Sequence, residues 1–165
     1  MRIIGIDPGL QRTGYACLEV GGGSERLVEA GVLRTVTAMP LEKRLMSIAS
    51  DFAEVVESFG PGYAAVEELY SHYDHPTTSI LMGHARGVIL HVCAQKDVVV
   101  KSFSATKIKK SLTGNGHATK EQMQRTIQIL LGLEERPEPN DVADAIAAAL
   151  CCANQMARNA VTDYK

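Results

Sequence analysis

The sequence predicts an α/β protein built on a mixed five-stranded sheet flanked by helices. Three observations predict it. Up to Arg34 the chain holds three strand-like runs with no helical period between them; beyond residue 40, helical apolar spacing alternates with two further short strand-like runs; and the last stretch is an Ala-rich helix.

Each element has its own signal. Ile3, Ile4 and Ile6 form a continuous β-branched run, the pattern of a strand covered on both faces, and Asp7 stands where that core run ends. Pro8-Gly9 turns the chain. Thr13 to Val20 and Arg26 to Arg34, joined by Gly21-Gly22-Gly23-Ser24, have the spacing of an antiparallel meander. Leu41, Leu45, Ile48, Phe52, Val55, Val56 and Phe59 then recur at helical spacing until Gly60-Pro61-Gly62 stops them. Tyr63 to Leu69 reads as a strand, Ser71 to Pro76 as a polar loop, Thr77 to Gln95 as a long apolar helix and Val98 to Phe103 as the fifth strand. Two basic helices, Ser104 to Leu112 and Lys120 to Leu131, flank the loop Thr113 to His117, and Thr119 with Gln122 has capping-box spacing. After the linker Glu134 to Pro139, Asn140 is expected to cap a final helix running to about Ala160.

Composition bounds the class. A chain of 165 residues that is 45% hydrophobic and 22% charged suits a single domain over residues 1–165, with a flexible tail expected at about 160–165. No run approaches a membrane span of roughly 18 residues, and no signal-peptide pattern opens the chain, so a cytoplasmic protein is expected. Cys17, Cys93, Cys151 and Cys152 lack metal-ligand spacing and read as reduced packing residues. The net charge of -2 gives no overall attraction to polyanions. Charge is nevertheless uneven: Lys101, Lys107, Lys109, Lys110, Lys120 and Arg125 face Glu121 alone between residues 101 and 125. Such a run is either a solvated helix face or a phosphate-binding surface.

Three acidic positions carry chemical interest. Asp7 is a turn former or a ligand at a strand end. Glu67 and Glu68 are adjacent in a strand, so period two sends them to opposite faces, and alternation alone does not say which faces a site. Asp141 and Asp144, three apart, share one helix face. The helix dipole accounts for Asp141, but Asp144 lies in a helix apolar almost all round and needs a partner or a cation.

These acids and this order of elements resemble the bacterial RuvC-type Holliday-junction resolvases, whose domain has the ribonuclease H-like fold. The resemblance covers nearly the whole chain. It is carried by "GIDPGLQRTGYA" at Gly5 to Ala16, "AVEELY" at Ala65 to Tyr70, "GHARGV" at Gly83 to Val88, "KIKKSLTGNGHATKEQM" at Lys107 to Met123 and "NDVADAIAAAL" at Asn140 to Leu150. It implies catalytic acids at Asp7, Glu67, Asp141 and Asp144, choosing Glu67 over Glu68, and functional lysines at Lys109 and Lys120. It further implies metal-dependent cleavage of four-way junctions to ligatable nicks with 5′ phosphates, a homodimer, and the branch-migration proteins RuvA and RuvB as partners. Tyr70 matches an aromatic position used against unpaired bases, where the family usually has phenylalanine.

The chemistry agrees with the residue types. Phosphodiester hydrolysis needs phosphate charge neutralised, a water deprotonated and the leaving oxygen supported, which two divalent ions roughly 3.5 to 4 Å apart supply together. Oxygen donors without cysteine select Mg²⁺, with Mn²⁺ able to replace it. Asp7 is assigned as the bridging ligand, Glu67 to one ion, and Asp141 and Asp144 to the other. Lys107, Lys109, Lys110 and Lys120 are assigned to DNA phosphate, with Arg86 and Arg12 as weaker candidates. His72 and His75 make a loop HxxH too sparse for a zinc site. His84 and His91 are expected to pack or face a neighbour, and His117 stands beside the glycine loop. Gly83 and Gly87, four apart on the long helix, provide a small-residue face for a twofold partner. An actin-like ATP-binding fold would require a second domain; an idle DNA-binding module leaves the acids unexplained; another ribonuclease H-like nuclease differs only in substrate.

Overall fold

In the computed structural model the described residues are 1–69 and 76–162. Five strands, β1 (Arg2–Asp7), β2 (Arg12–Gly21), β3 (Ser24–Arg34), β4 (Tyr63–Glu67) and β5 (Val99–Phe103), form one sheet in the order β3-β2-β1-β4-β5. The meander pairs antiparallel, whereas β1–β4 and β4–β5 are parallel. The mixed five-stranded sheet expected from the sequence is therefore present. Parallel neighbours need crossovers, and the helices supply them: α1 (Leu41–Phe59) before β4 and α2 (Pro76–Gln95) before β5. Helices α3 (Ala105–Thr113), α4 (Lys120–Leu131) and α5 (Asn140–Thr162) follow.

The two faces of β1 build two cores. Ile4 and Ile6 pack with Ala64, Val66 and the α1–α2 layer, including Ile48, Phe52 and Ile89. Ile3 packs with Ala16, Leu18, Ala65 and Phe103 under α5. The inner positions of α5 are mostly alanine, fully buried from Ala145 to Ala149, so the helix axis lies close to the sheet. Two strand glycines allow the approach. A methyl group on Gly5 would lie 1.9 Å from the Ala145 carbonyl oxygen, and one on Gly14 would lie 1.9 Å from that of Asp141. Isolated glycine inside a strand marks such a close backbone approach.

Local signals mostly fix the ends as read. Gly60 closes α1 in a left-handed conformation with its N–H on the Val56 carbonyl, and Thr119 and Gln122 form a complete capping box. Two details differ. The first amide bonds of α5 run from Val142 and Ala143 to the carbonyl of Pro139, while the Asn140 side chain accepts from Gln124. Asn140 thus ties α5 to α4 instead of capping it. Strand β4 ends at Glu67, because only the Glu68 N–H continues the ladder, to Phe103. All four cysteines are buried and free. No helix among the described residues is long and apolar enough to cross a membrane.

Candidate active site

The register of the sheet brings the first two acids together. Ile6 pairs with Val66, which makes Asp7 and Glu67 neighbours at the carboxyl ends of adjacent parallel strands. Ala65 belongs to the α5-side core and Ala64 and Val66 to the opposite core, so alternation sends Glu67 to the α5 side and Glu68 away. Glu68 is exposed. Tertiary packing thus resolves what parity alone left open.

The other two acids arrive on α5. Asp7 pairs with Gly14 across β1–β2, and the backbone of Asp141 sits directly on Gly14, so the first turn of α5 is laid over the end of β1. Asp144 follows one turn later on the same face. Below this junction the turn after β1 is pinned by Thr13, which is fully buried; its hydroxyl donates to the Gly9 carbonyl at 2.7 Å and accepts from the Gly9 N–H at 3.4 Å.

The field at the site shows how closely the acids interact. Burial pushes the Asp7 carboxyl up to about 8, and the charges of Glu67, Asp144 and Asp141 push in the same direction while Lys120 opposes them. Burial and Asp144 raise Glu67 to about 7 against the pull of Lys109 and Lys120. Asp144 is raised as well, first by burial and then by Asp141, with both lysines opposing. Glu67 and Asp144 line a cavity of about 180 Å³ together with Lys109 and Lys120. Asp7 and Glu67 line a neighbouring groove of about 550 Å³ that runs along Ser104 and Thr106 at the start of α3.

Divalent-cation fit follows from the donor set. Asp141 Oδ2 is buried without a hydrogen bond among the described residues; Arg12 Nε lies 3.1 Å from it, at ion-pair distance but off the hydrogen-bonding direction. Among the described residues no three Asp, Glu, His or Cys side chains are gathered closely enough to hold a metal ion as they stand. An orphaned carboxylate oxygen beside raised oxygen-only acids suits a hard cation, which would supply the missing positive charge.

Residues 3–152 match the family model for crossover junction endodeoxyribonuclease RuvC. The chain belongs to the RuvC family. A RuvC crossover junction endodeoxyribonuclease from Rhodopirellula baltica is 46% identical over 149 residues, covering 90% of this chain and 84% of that protein. One from Thermotoga petrophila is 41% identical over 162 residues, 98% of each. The solved RuvC of Thermus thermophilus in complex with a Holliday junction superposes with a TM-score of 0.90 at 32% identity, covering 96% of both chains. The ribonuclease H-like fold is thereby established. The yeast mitochondrial resolvase Ydc2, at 11% identity and a TM-score of 0.66, shares the fold alone.

Other residues expected at a RuvC site are distributed unevenly. Arg86 donates to the Glu67 carbonyl at 3.2 Å and to Ser102 Oγ at 2.9 Å, so it braces the strand ends that hold Glu67. Lys107 and Lys110 line a second groove of about 590 Å³ between α3 and α5, together with Arg158. Lys107 Nζ lies 4.9 Å from the centroid of the Phe103 ring. His84 and His91 are exposed on α2. His117 is exposed too, its N–H on Asn115 Oδ1. Tyr70, His72 and His75 lie outside the described residues. Sequence reasoning missed Gly14 and Gly5 as the residues that seat α5; glycine within two strand patterns was the available signal.

Proposed function

We propose that this RuvC-family chain is a crossover junction endodeoxyribonuclease that resolves four-way DNA junctions by paired, Mg²⁺-dependent phosphodiester hydrolysis. The observation that carries the reading is the convergence of the acids at the end of β1: the register sets Asp7 beside Glu67, Asp141 lies over Gly14, the cross-strand neighbour of Asp7, and Asp144 lines one cavity with Glu67, Lys109 and Lys120. Asp7, Glu67, Asp141 and Asp144 would hold two Mg²⁺ or Mn²⁺ ions, which supply charge neutralisation and an activated water when bound.

The chain's own residues do the rest. Glu67 and Asp144 offer oxygen donors to the cavity and Asp7 to the groove beside it, with Asp141 on the same end of α5, all fixed by β1, β4 and the start of α5. In the same cavity, Lys109 and Lys120 neutralise the non-bridging phosphate oxygens, a role that grows as charge develops in the transition state. Water oxygen attacks phosphorus and the bond to the 3′ oxygen breaks, leaving a 3′ hydroxyl and a 5′ phosphate that ligase can rejoin. The acid-side groove and the Lys107–Lys110–Arg158 groove share Ser104 and Thr106, which supports a continuous backbone path across α3.

Two such sites are needed to nick both strands. On α2, Ile80, Gly83, His84, Gly87 and His91 form an exposed stripe, and a methyl group on Gly83 or Gly87 would meet nothing within 4 Å. That stripe suits a homodimer about a twofold axis. RuvA and RuvB are the partners this reading assigns at the junction.

Incubation with Mg²⁺ and a four-way junction, linear duplex or RNA–DNA hybrid tests the function. Paired junction nicks, lost in Asp7→Asn with junction binding retained, are expected. Equal cleavage of linear duplex would overturn the junction assignment, and a monomer by sedimentation on junction DNA would overturn the dimer.

A further inference from the structure

We infer that Arg12 is a positioning residue with two stations: it neutralises Asp141 in the metal-free protein and moves to a DNA phosphate when a divalent cation occupies Asp141. This rests on the metal-dependent reading above, and the experiment separates the two.

The placement of Arg12 follows from β2. Arg12, Gly14 and Ala16 alternate onto the face covered by α5, and Asp141 stands directly over Gly14. A long side chain two residues before Gly14 therefore reaches the Asp141 carboxylate, with Nε 3.1 Å from Oδ2. Directly across the sheet Arg12 faces Arg34, so its own strand pair offers no acid and repels it toward α5. Among the described residues Arg12 is the cation in ion-pair contact with any of the four acids; Lys109 and Lys120 act on Glu67 and Asp144 from farther off.

The contact is built to be given up. Oδ2 makes no hydrogen bond, so the guanidinium compensates charge without the directed, two-pronged geometry of a locked arginine–carboxylate pair. The Arg12 side chain is 49% exposed and that of Asp141 20%, which leaves Arg12 a path outward while the carboxylate stays in place. The backbone beneath does not share that freedom. A methyl group on Gly9 would lie 2.2 Å from the Arg12 carbonyl oxygen, and Thr13 bonds both polar groups of Gly9. The side chain is the freer part, and a cation at Asp141 would expel it by like-charge repulsion toward solvent. A guanidinium released there pairs with a phosphate, so cation and DNA binding become coupled through one residue.

The test uses the full-length protein and Mn²⁺ alone, titrated calorimetrically into wild type, Arg12→Gln, Arg12→Lys and Arg26→Gln. Arg26 pairs with Glu19 at 2.7 Å on the meander and controls for loss of one positive charge. Arg12→Gln is expected to bind Mn²⁺ roughly 5-fold more tightly, with Arg12→Lys restored toward wild type and Arg26→Gln unchanged. Junction affinity in Ca²⁺ should fall by roughly the same factor in Arg12→Gln, yet stay level in EDTA, where the wild-type arginine is held by Asp141. Thermal unfolding confirms that each variant is folded. Unchanged or weaker Mn²⁺ binding by folded Arg12→Gln would overturn the proposal, as would an equal loss of junction affinity with and without Ca²⁺. Failure of the wild type itself to bind Mn²⁺ sinks the metal-dependent reading and this one with it.

Discussion

Gly14 on β2 lies so close to Asp141 on α5 that a methyl group on Gly14 would stand 1.9 Å from the Asp141 carbonyl oxygen. Both partners are backbone, so neither yields as a side chain would. Gly14→Ala must lift the first turn of α5, and Asp141 and Asp144 with it. Overpacking of this kind should cost about 1–3 kcal/mol in a denaturant titration. Displacing two acids by even an ångström should lower junction cleavage about 100-fold. Gly21→Ala, where a methyl group meets nothing within 4 Å, should change neither quantity. Equal activity of the two variants would show that α5 is not seated by Gly14.

Glu67 and Glu68 give a sharper contrast, because they are adjacent, isoelectric and on opposite faces. Glu67 is drawn into the field of Asp144, whereas Glu68 is exposed. Glu67→Gln should reduce single-turnover cleavage by at least about 100-fold with junction binding retained, the scale expected when an electrostatic group at the reacting centre is lost. Glu68→Gln should stay within about 3-fold of wild type, as exposed surface changes do. The reverse order would move the site to the other face of the sheet.

The same pair shows what the sequence made legible. Strand and helix positions followed from apolar period, and the glycine stop after α1 and the Thr119–Gln122 capping box followed from local chemistry that needs no tertiary contact. The choice between Glu67 and Glu68 did not, because it depends on which face α5 covers, a fact residing in the Ala65 and Val66 environments. Asn140 was misread for a related reason: its residue type suits a cap, but Gln124 on a neighbouring helix claims its side chain. The Arg12–Asp141 contact joins residues 129 apart through the seating of α5, and no periodicity encodes it.

Metal-free stability should fall as pH rises through the Asp7 titration. The folded protein holds this proton up to about pH 8, against an ordinary value of 3.8, so the folded state binds it more tightly than the unfolded chain. The stabilisation is full below the ordinary value and is lost as pH climbs to about 8; Glu67, raised from 4.5 to about 7, adds the same sign. Asp7→Asn removes the larger share. In EDTA at pH 8 it should raise the melting temperature by roughly 4 to 8 °C, equivalent to about 2 kcal/mol, and flatten the pH dependence between 4 and 8. A lower melting temperature for Asp7→Asn would mean that burying the Asp7 carboxylate beside the other acids does not oppose folding.

Lys109 and Lys120 line the same cavity but act on the acids differently, and that difference is measurable. Lys120 lowers the titration of Asp7, Glu67 and Asp144, while Lys109 acts on Glu67 and Asp144. Removing an ammonium that favours the carboxylate form moves the carboxyl titration upward. Carbon-detected titrations in EDTA should therefore show Glu67 climbing above about 7 in both Lys109→Met and Lys120→Met, and Asp7 climbing above about 8 in Lys120→Met alone. Because cation binding requires deprotonated carboxylates, the acid limb of the Mg²⁺-dependent cleavage profile should shift to higher pH in the same order, further for Lys120→Met than for Lys109→Met. If both variants moved Asp7 equally, Lys109 would lie closer to the end of β1 than the geometry places it, and the two lysines would have to be read as one interchangeable charge.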